Sequence, residues 1–365
     1  MSAAPAAKPE AQAPFLPYGR QVIEEDDIAA VTDALRGEYL TTGPLVTRFE
    51  QALANVTGAA EAVACSNGTA ALYMAAKALD LKPGSIVIVP AITFAATASA
   101  PHLLGCEIVF SDVDPETGLM RAVDFEEALS RTPKGRAAAV FPVHYAGQSC
   151  DMEDIAYIAR ACGLRIVEDA AHALGTGWVS SGGALTPVGA NAYGDLTTFS
   201  FHPVKTIAMG EGGAVTANDP ELARRLRLAR NYGITRDPGE FVREDAAFDT
   251  NHAVNPWYYE VGAPGFNFRV PDINCALGLS QLAKLSRFVE ARRRLVACYD
   301  ECLAPLAPLV RPLKRDRRSH TAWHIYPIQI DFASACIGRR ALMQALAAQG
   351  IGTQVHYIQI GRAHV

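Results

Sequence analysis

The chain has 365 residues, a net charge of -5 and a pI near 6.0, which argues against a general nucleic-acid-binding protein. A hydrophobic content of 50% with 19% charged residues excludes a disordered chain and fits a soluble globular protein, long enough for two domains. The eight cysteines are scattered without a C-x-x-C pair, as in a reduced cytoplasmic chain, and no apolar stretch is long enough to span a membrane.

Met1 to Pro14 is Ala/Pro-rich, lacks the basic start and apolar core of a signal peptide, and reads as a disordered tail. Acids lead Glu24–Arg36, an arginine closes it and Gly37 follows, so a helix is expected. Leu40–Pro44 is a turn and Val46–Val56 a second helix. Strands are then expected over Ala62–Cys65, Ile86–Val89, Glu107–Phe110, Ala138–Val143 and Arg165–Glu168. Helices over Gly68–Leu79, Phe94–Leu104, Asp124–Ser130 and Met152–Ala161 alternate with them. Thr197–Phe201 and Gly213–Thr216 add a strand pair around a single lysine, Lys205. Seven short runs of this kind predict an α/β fold with a seven-stranded, mostly parallel sheet covered on both faces.

Pro220–Arg230 is a further helix, and Arg236–Glu260 a long polar, aromatic-tipped loop of the functional or mobile kind. Asp272–Tyr299 is expected as one long, kinked amphipathic helix that leaves the sheet. Ala322–Ile330, Arg339–Gln349 and Thr353–Tyr357 then read as strand, helix and strand of a smaller α+β domain. Arg311–Arg318 is the most basic segment and reads as a solvated loop, an anion contact being the other reading. His320 and His324 have i, i+4 spacing, but a strand there would keep the two imidazoles apart, so no metal site is expected. There is no internal repeat, no G-x-G-x-x-G and no Walker-type loop. The last six residues, Ile360-Gly-Arg-Ala-His-Val365, correspond codon for codon to a sequencing adapter. The natural chain is therefore expected to continue past Gln359, with the small domain cut short; resequencing the source gene through Gln359 decides it.

Four stretches fall where an open α/β sheet presents ligands, at strand carboxyl ends. Cys65-Ser-Asn-Gly-Thr-Ala-Ala71 is a strand end, a turn and a helix start whose free N–H groups can hold a phosphate, or an ordinary N-cap. Ile166-Val-Glu-Asp-Ala-Ala-His172 closes an apolar strand with two acids and a histidine; Asp169 there can meet a cation or cap the next turn. Pro90-Ala-Ile-Thr-Phe94 is a strand exit with an aromatic ring, which suits either core or a stacking surface. Ser200-Phe-His-Pro-Val-Lys205 puts one amine between two buried strands, either reaching solvent or kept partly desolvated for nucleophilic use. Together they supply what pyridoxal phosphate needs: a Schiff-base amine, an acid for the pyridine nitrogen and an anion cradle.

The chain resembles the DegT/DnrJ/EryC1/StrS family of sugar aminotransferases over about residues 15–359. The matching motifs are Ser-Asn-Gly-Thr-Ala-Ala-Leu (66–72), Glu-Asp-Ala-Ala-His-Ala-Leu-Gly (168–175), Ser-Phe-His-Pro-Val-Lys (200–205), Gly-Glu-Gly-Gly (210–213) and Gly-Phe-Asn-Phe-Arg-Val-Pro-Asp-Ile (265–273). Within the family it is most similar to the pseudaminic-acid branch, through residues 142–148 with 150–153, 231–237, 256–260 and 352–358.

The resemblance implies the aspartate-aminotransferase (type I) fold: a large cofactor-binding domain over 15–270, and a linking helix with the small domain over 271–359. It implies that Lys205 is the Schiff-base lysine and moves the proton between cofactor and sugar carbons, and that Asp169 pairs with the pyridine nitrogen. His172 is implied near the phenolic oxygen, Phe94 on the ring, and Gly68, Thr69 and Ser200 at the phosphate. Asn267, and less directly Arg269, would reach a phosphate in the neighbouring subunit of a homodimer, and His356 and Tyr357 would border the sugar. The implied reaction passes an amino group from L-glutamate to C4 of a UDP-linked 4-keto-6-deoxy-N-acetylhexosamine, giving UDP-4-amino-4,6-dideoxy-N-acetyl-β-L-altrosamine. Rival readings are an aminotransferase for another nucleotide 4-keto sugar, of the perosamine or lipid A arabinose type, a sugar dehydratase on the same fold, and a non-catalytic regulator. Lys205 argues against the dehydratase, in whose relatives a histidine replaces the lysine, and Lys205 with Asp169 argues against the regulator.

Overall fold

Apolar, β-branched runs that would be poor company for water gather into one sheet. The computed structural model describes residues 14–358; residues 1–13 of the expected tail, Gln359 and the 360–365 ending lie outside it. In chain order the strands are β1 (Glu61–Cys65), β2 (Ile86–Pro90), β3 (Glu107–Ser111), β4 (Ala137–Val140) and β5 (Arg165–Asp169). A small hairpin of β6 (Gly177–Val179) and β7 (Leu185–Pro187) follows, and then β8 (Leu196–Ser200) and β9 (Gly213–Ala217). The seven-stranded sheet has the order β1-β9-β8-β5-β4-β2-β3. Pairs from β3 through β8 are parallel, and β9 runs antiparallel to both β8 and β1. Val63, Ile88, Val140, Val167, Leu196 and Val215 are buried, as both faces are covered.

The covering helices are α1 (Glu25–Arg36), α2 (Pro44–Thr57), α3 (Gly68–Ala78), α4 (Ala95–His102), α5 (Ala122–Ser130), α6 (Met152–Ala161) and α7 (Pro220–Arg230). β4 stops three residues short of its expected end, because Pro142 has no N–H to give to a ladder; Val143 meets Asp169 as an isolated bridge. The 236–260 excursion contains the short helix α8 (Glu244–Ala247) and is closed at its base by β10 (Ile234–Thr235) against β11 (Glu260–Val261).

The expected long helix is two, α9 (Asp272–Ala283) and α10 (Leu285–Leu303), broken at Lys284. The Asp272 carboxylate accepts the N–H groups of Gly43 and Leu45 (2.8 and 3.0 Å) and so caps α2. Asp27 of α1 is buried against Ser280, Gln281 and Lys284, which pins α1 to α9. Beyond α10 lie β12 (Val310–Pro312), β13 (Ser319–His320), β14 (Ile328–Ile330) and α11 (Arg339–Ala348).

Two expected strands need correction. Ala322–Ile330 is a strand only at Ile328–Ile330. Its first half is irregular because side chains, not a neighbouring strand, take its backbone groups: Arg292 donates to the carbonyls of Trp323 and His324, Arg293 to Thr321, and Thr176 accepts the Ala322 N–H. Thr353–Tyr357 forms no strand; pairing stops at Ile351, which bridges Leu16. Three cations of the basic segment are paired locally, Lys314 with Glu116, Arg315 with Asp300 and Arg318 with Asp151. Among the described residues no helix is long and apolar enough to cross a membrane.

Candidate active site

The two acids that end β5 go opposite ways, as side chains of a strand must. Glu168 turns to one face, where its carboxylate lies 2.8 Å from Nε2 of buried His144. His144 Nδ1 accepts the Cys150 N–H (3.1 Å), so the ring is the Nε2–H tautomer and donates to Glu168. Asp169 turns to the other face and is buried. Its Oδ2 accepts from the Thr97 hydroxyl at 2.7 Å, and its Oδ1 from the Ala171 N–H at 3.1 Å.

β8 ends at Ser200 beside the start of α3. A Cβ placed on Gly68 would come within 2.8 Å of the Ser200 Cβ, so glycine is what lets the helix start and the strand end meet. Asn67 caps α3 by accepting the Ala70 N–H (2.8 Å), and the first N–H groups of the helix, with Thr69 exposed beside them, have no acceptor inside it. A Cβ on Gly213, where β9 begins, would lie 2.3 Å from the Asn67 carbonyl oxygen, which explains the glycine that follows Gly212.

Lys205 follows in a turn, its N–H donating to the His202 carbonyl (2.8 Å) and its own carbonyl accepting from Arg292 (3.2 Å). Burial pushes its amine down to about 8, with the Asp169 charge acting in the opposite direction. His172 is buried, its Nε2 is 2.9 Å from the Tyr357 hydroxyl and its Nδ1 has no partner among the described residues. His172 lies against His324 with ring centroids 4.4 Å apart, and His324 Nδ1 is likewise unpartnered. Burial first, and then the Lys205 charge on His172 and the neighbouring His172 on His324, hold both imidazoles well below their ordinary range and neutral. Burial, with Asp169 adding to it, raises the Tyr357 hydroxyl above its usual range. Phe94 is 61% exposed and tilted 6.1 Å from Tyr357, so its ring is surface and not core. His356 is half-buried, and its carbonyl accepts from the Tyr145 hydroxyl.

Lys205, Asp169, His172, Phe94, His356 and Tyr357 thus form one cluster at the carboxyl ends of β5 and β8, and Gly68, Thr69 and Ser200 a second group at the end of β8. Asn267 stands apart in this chain: it is exposed, bridges Asn231, and accepts the Arg269 N–H (3.2 Å). Its segment still borders the turn that starts α3, through the Ser66 N–H to the Phe268 carbonyl (2.8 Å). Sequence reasoning missed Thr93, Thr97, Arg292 and His324. Thr93 and Thr97 carried a signal, an i, i+4 hydroxyl pair at a strand exit. His324 was weighed only as a metal ligand with His320, on a strand that does not form there.

A phosphorylated pyridine aldehyde fits these residues. Asp169 keeps acceptor capacity beyond its two bonds, the Gly68–Ser200 approach is a cradle that a Cβ would fill, and His172 Nδ1 is a buried polar atom without a partner.

The DegT/DnrJ/EryC1/StrS aminotransferase family matches residues 21–364, nearly the whole chain. The chain belongs to the DegT/DnrJ/EryC1/StrS aminotransferase family. The spore coat polysaccharide biosynthesis protein SpsC of Bacillus subtilis is 37% identical over 347 residues, 95% of this chain and 84% of that one. Among solved structures, Helicobacter pylori PseC, an aminotransferase involved in the biosynthesis of pseudoaminic acid, matches with a TM-score of 0.83 and 28% identity, over 96% of this chain and 87% of that one. The putative sugar aminotransferase Spr1654 of Streptococcus pneumoniae, solved in its PLP form, matches with a TM-score of 0.80 and 26% identity over 95% and 86% of the two chains. The protein is a pyridoxal-phosphate-dependent sugar aminotransferase of this family, with the family's fold.

Proposed function

We propose that this aminotransferase moves the amino group of L-glutamate to C4 of a UDP-linked 4-keto-6-deoxy-N-acetylhexosamine, yielding UDP-4-amino-4,6-dideoxy-N-acetyl-β-L-altrosamine for pseudaminic acid synthesis, in the cytoplasm. The substrate class is supported by the match to PseC over nearly the whole chain. The chemistry is supported above all by the buried Lys205 amine, drawn down to about 8, with the Asp169 charge acting on it from the end of β5.

In this reading Lys205 anchors the cofactor, Asp169 faces its pyridine nitrogen, His172 its phenolic oxygen and Phe94 its ring, while Gly68, Thr69 and Ser200 hold its phosphate. When bound, the cofactor supplies an electron sink for the carbon that loses a proton. Lys205 Nζ takes a proton from the glutamate Cα in one half-reaction and delivers one to sugar C4 in the other. His356 and Tyr357 border the sugar. Asn267, with Arg269, reaches the phosphate of a partner in a homodimer, which accords with its exposure here. Residues 15–270 form the cofactor-binding unit and 271–359 the linking helices and smaller unit.

Incubation with 15N-labelled glutamate and a panel of UDP-, GDP- and TDP-linked 4-keto sugars, read by product mass, tests the substrate. The expected result is a labelled amine on the UDP-N-acetyl sugar. Amination of a GDP or TDP sugar in its place would overturn the UDP assignment, and no amination of any of them would overturn the function.

A further inference from the structure

One turn carries more of the site than its aromatic ring. Phe94 precedes α4, and the hydroxyls of Thr93 and Thr97 flank it on the buried side; both threonines are inaccessible to solvent, at 1% and 0% exposure. Thr97 Oγ1 is 2.7 Å from Asp169 Oδ2 and 2.7 Å from Thr93 Oγ1. A carboxylate only accepts, so the single Thr97 proton goes to Asp169. The Thr97 oxygen is then the acceptor in the second contact, and Thr93 donates. The relay therefore has one direction, Thr93 to Thr97 to Asp169, and it ends on the acid that closes β5. The other carboxylate oxygen takes the Ala171 N–H, so the carboxylate plane is fixed at both ends.

We infer that Thr97 is a positioning residue for the Asp169 carboxylate and that Thr93 supports it. The relay orients the acid in advance, so that it need not rotate when a cationic ring nitrogen arrives. This rests on the role proposed for Asp169. A hydrogen bond to a charged group is worth more than a neutral one, so loss of the Thr97 hydroxyl should be felt well beyond a surface change. Thr93 acts one bond further away and should matter less.

The test uses the isosteric change Thr97→Val, with Thr97→Ser, Thr93→Val and Asp169→Asn alongside. Pyridoxal phosphate affinity is measured by absorbance titration of the apo-protein, together with the pH dependence of the bound chromophore. Thr97→Val should bind roughly tenfold more weakly and shift that pH profile, Thr93→Val should change affinity about threefold, and Thr97→Ser should restore both readouts. Wild-type affinity and an unshifted profile in Thr97→Val would overturn the inference, as would a lower melting temperature with both readouts unchanged. If Thr97→Val does not fold, Thr97→Ala takes its place under the same criteria. Asp169→Asn separates the levels: if it too leaves affinity and profile unchanged, the role proposed for Asp169 fails; if it is impaired while Thr97→Val is not, only the relay fails.

Discussion

Lys205 is drawn down to about 8 because its amine is buried, and Asp169 only partly restores the charge. The folded amine thus releases its proton at a lower pH than the unfolded one, whose ordinary value is 10.5. Between those values the unfolded chain holds more protons, so stability rises with pH across this window and the penalty is greatest below it. In the apo-protein, competitive amine labelling read by peptide mass should half-modify Lys205 near pH 8; a midpoint near that of an ordinary lysine would oppose the desolvated amine. Lys205→Met should raise the melting temperature of the apo-protein at pH 7 and do less at pH 10. His172 and His324 belong to the same dry environment, and their neutrality leaves them hydrogen-bonding groups and not charges across the working pH range.

At the scale of elements, the site depends on where β5 and β8 stop and where α3 starts. β5 presents two successive acids, and strand alternation alone assigns one to His144 and the other to the Lys205 side. That division was not drawn from the sequence, where the strand was expected to stop at Glu168; β5 runs one residue further, to Asp169. The helix start at Gly68 was legible, as a Ser-Asn-Gly-Thr turn, but its reason was not: the glycine is required by Ser200, a residue more than a hundred positions away in the sequence. Gly68→Ala should force the strand end and helix start apart and weaken pyridoxal phosphate binding by about tenfold or more, at a strain on the order of 1–3 kcal/mol. Unchanged affinity in a folded variant would speak against the cradle. The strand expected at Ala322–Ile330 failed for the converse reason. Its apolar and aromatic run is real, but the arginines of α10 take carbonyls that a neighbouring strand would have needed.

Across the whole molecule, one surface asks for a partner. Trp257, in the 236–260 excursion, is 71% exposed, and Phe266, next in sequence to Asn267, is 56% exposed. Exposed aromatic groups of this size are costly in water and suit a self-complementary interface. Sedimentation at micromolar concentration should give about twice the 39.0 kDa chain mass, and a monomer would oppose the dimer. Mixing two inactive proteins, Lys205→Ala and Asn267→Ala, should restore activity if sites are shared, because hybrid dimers contain one intact site; no recovery would oppose the sharing.

By itself the sequence determined the α/β sheet, the strand ends that carry Lys205, Asp169 and the Gly68 turn, and the kind of cofactor they suit. These follow from local periodicity and from short motifs whose residues are near one another in the chain. Only the tertiary structure decided the Thr93–Thr97–Asp169 relay, the tilted His172–His324 ring contact and the Arg292 bonds that tie Lys205 to the segment carrying His324. Each joins residues from separate elements, and a buried hydrogen bond or ring contact between elements leaves no periodic trace in either one.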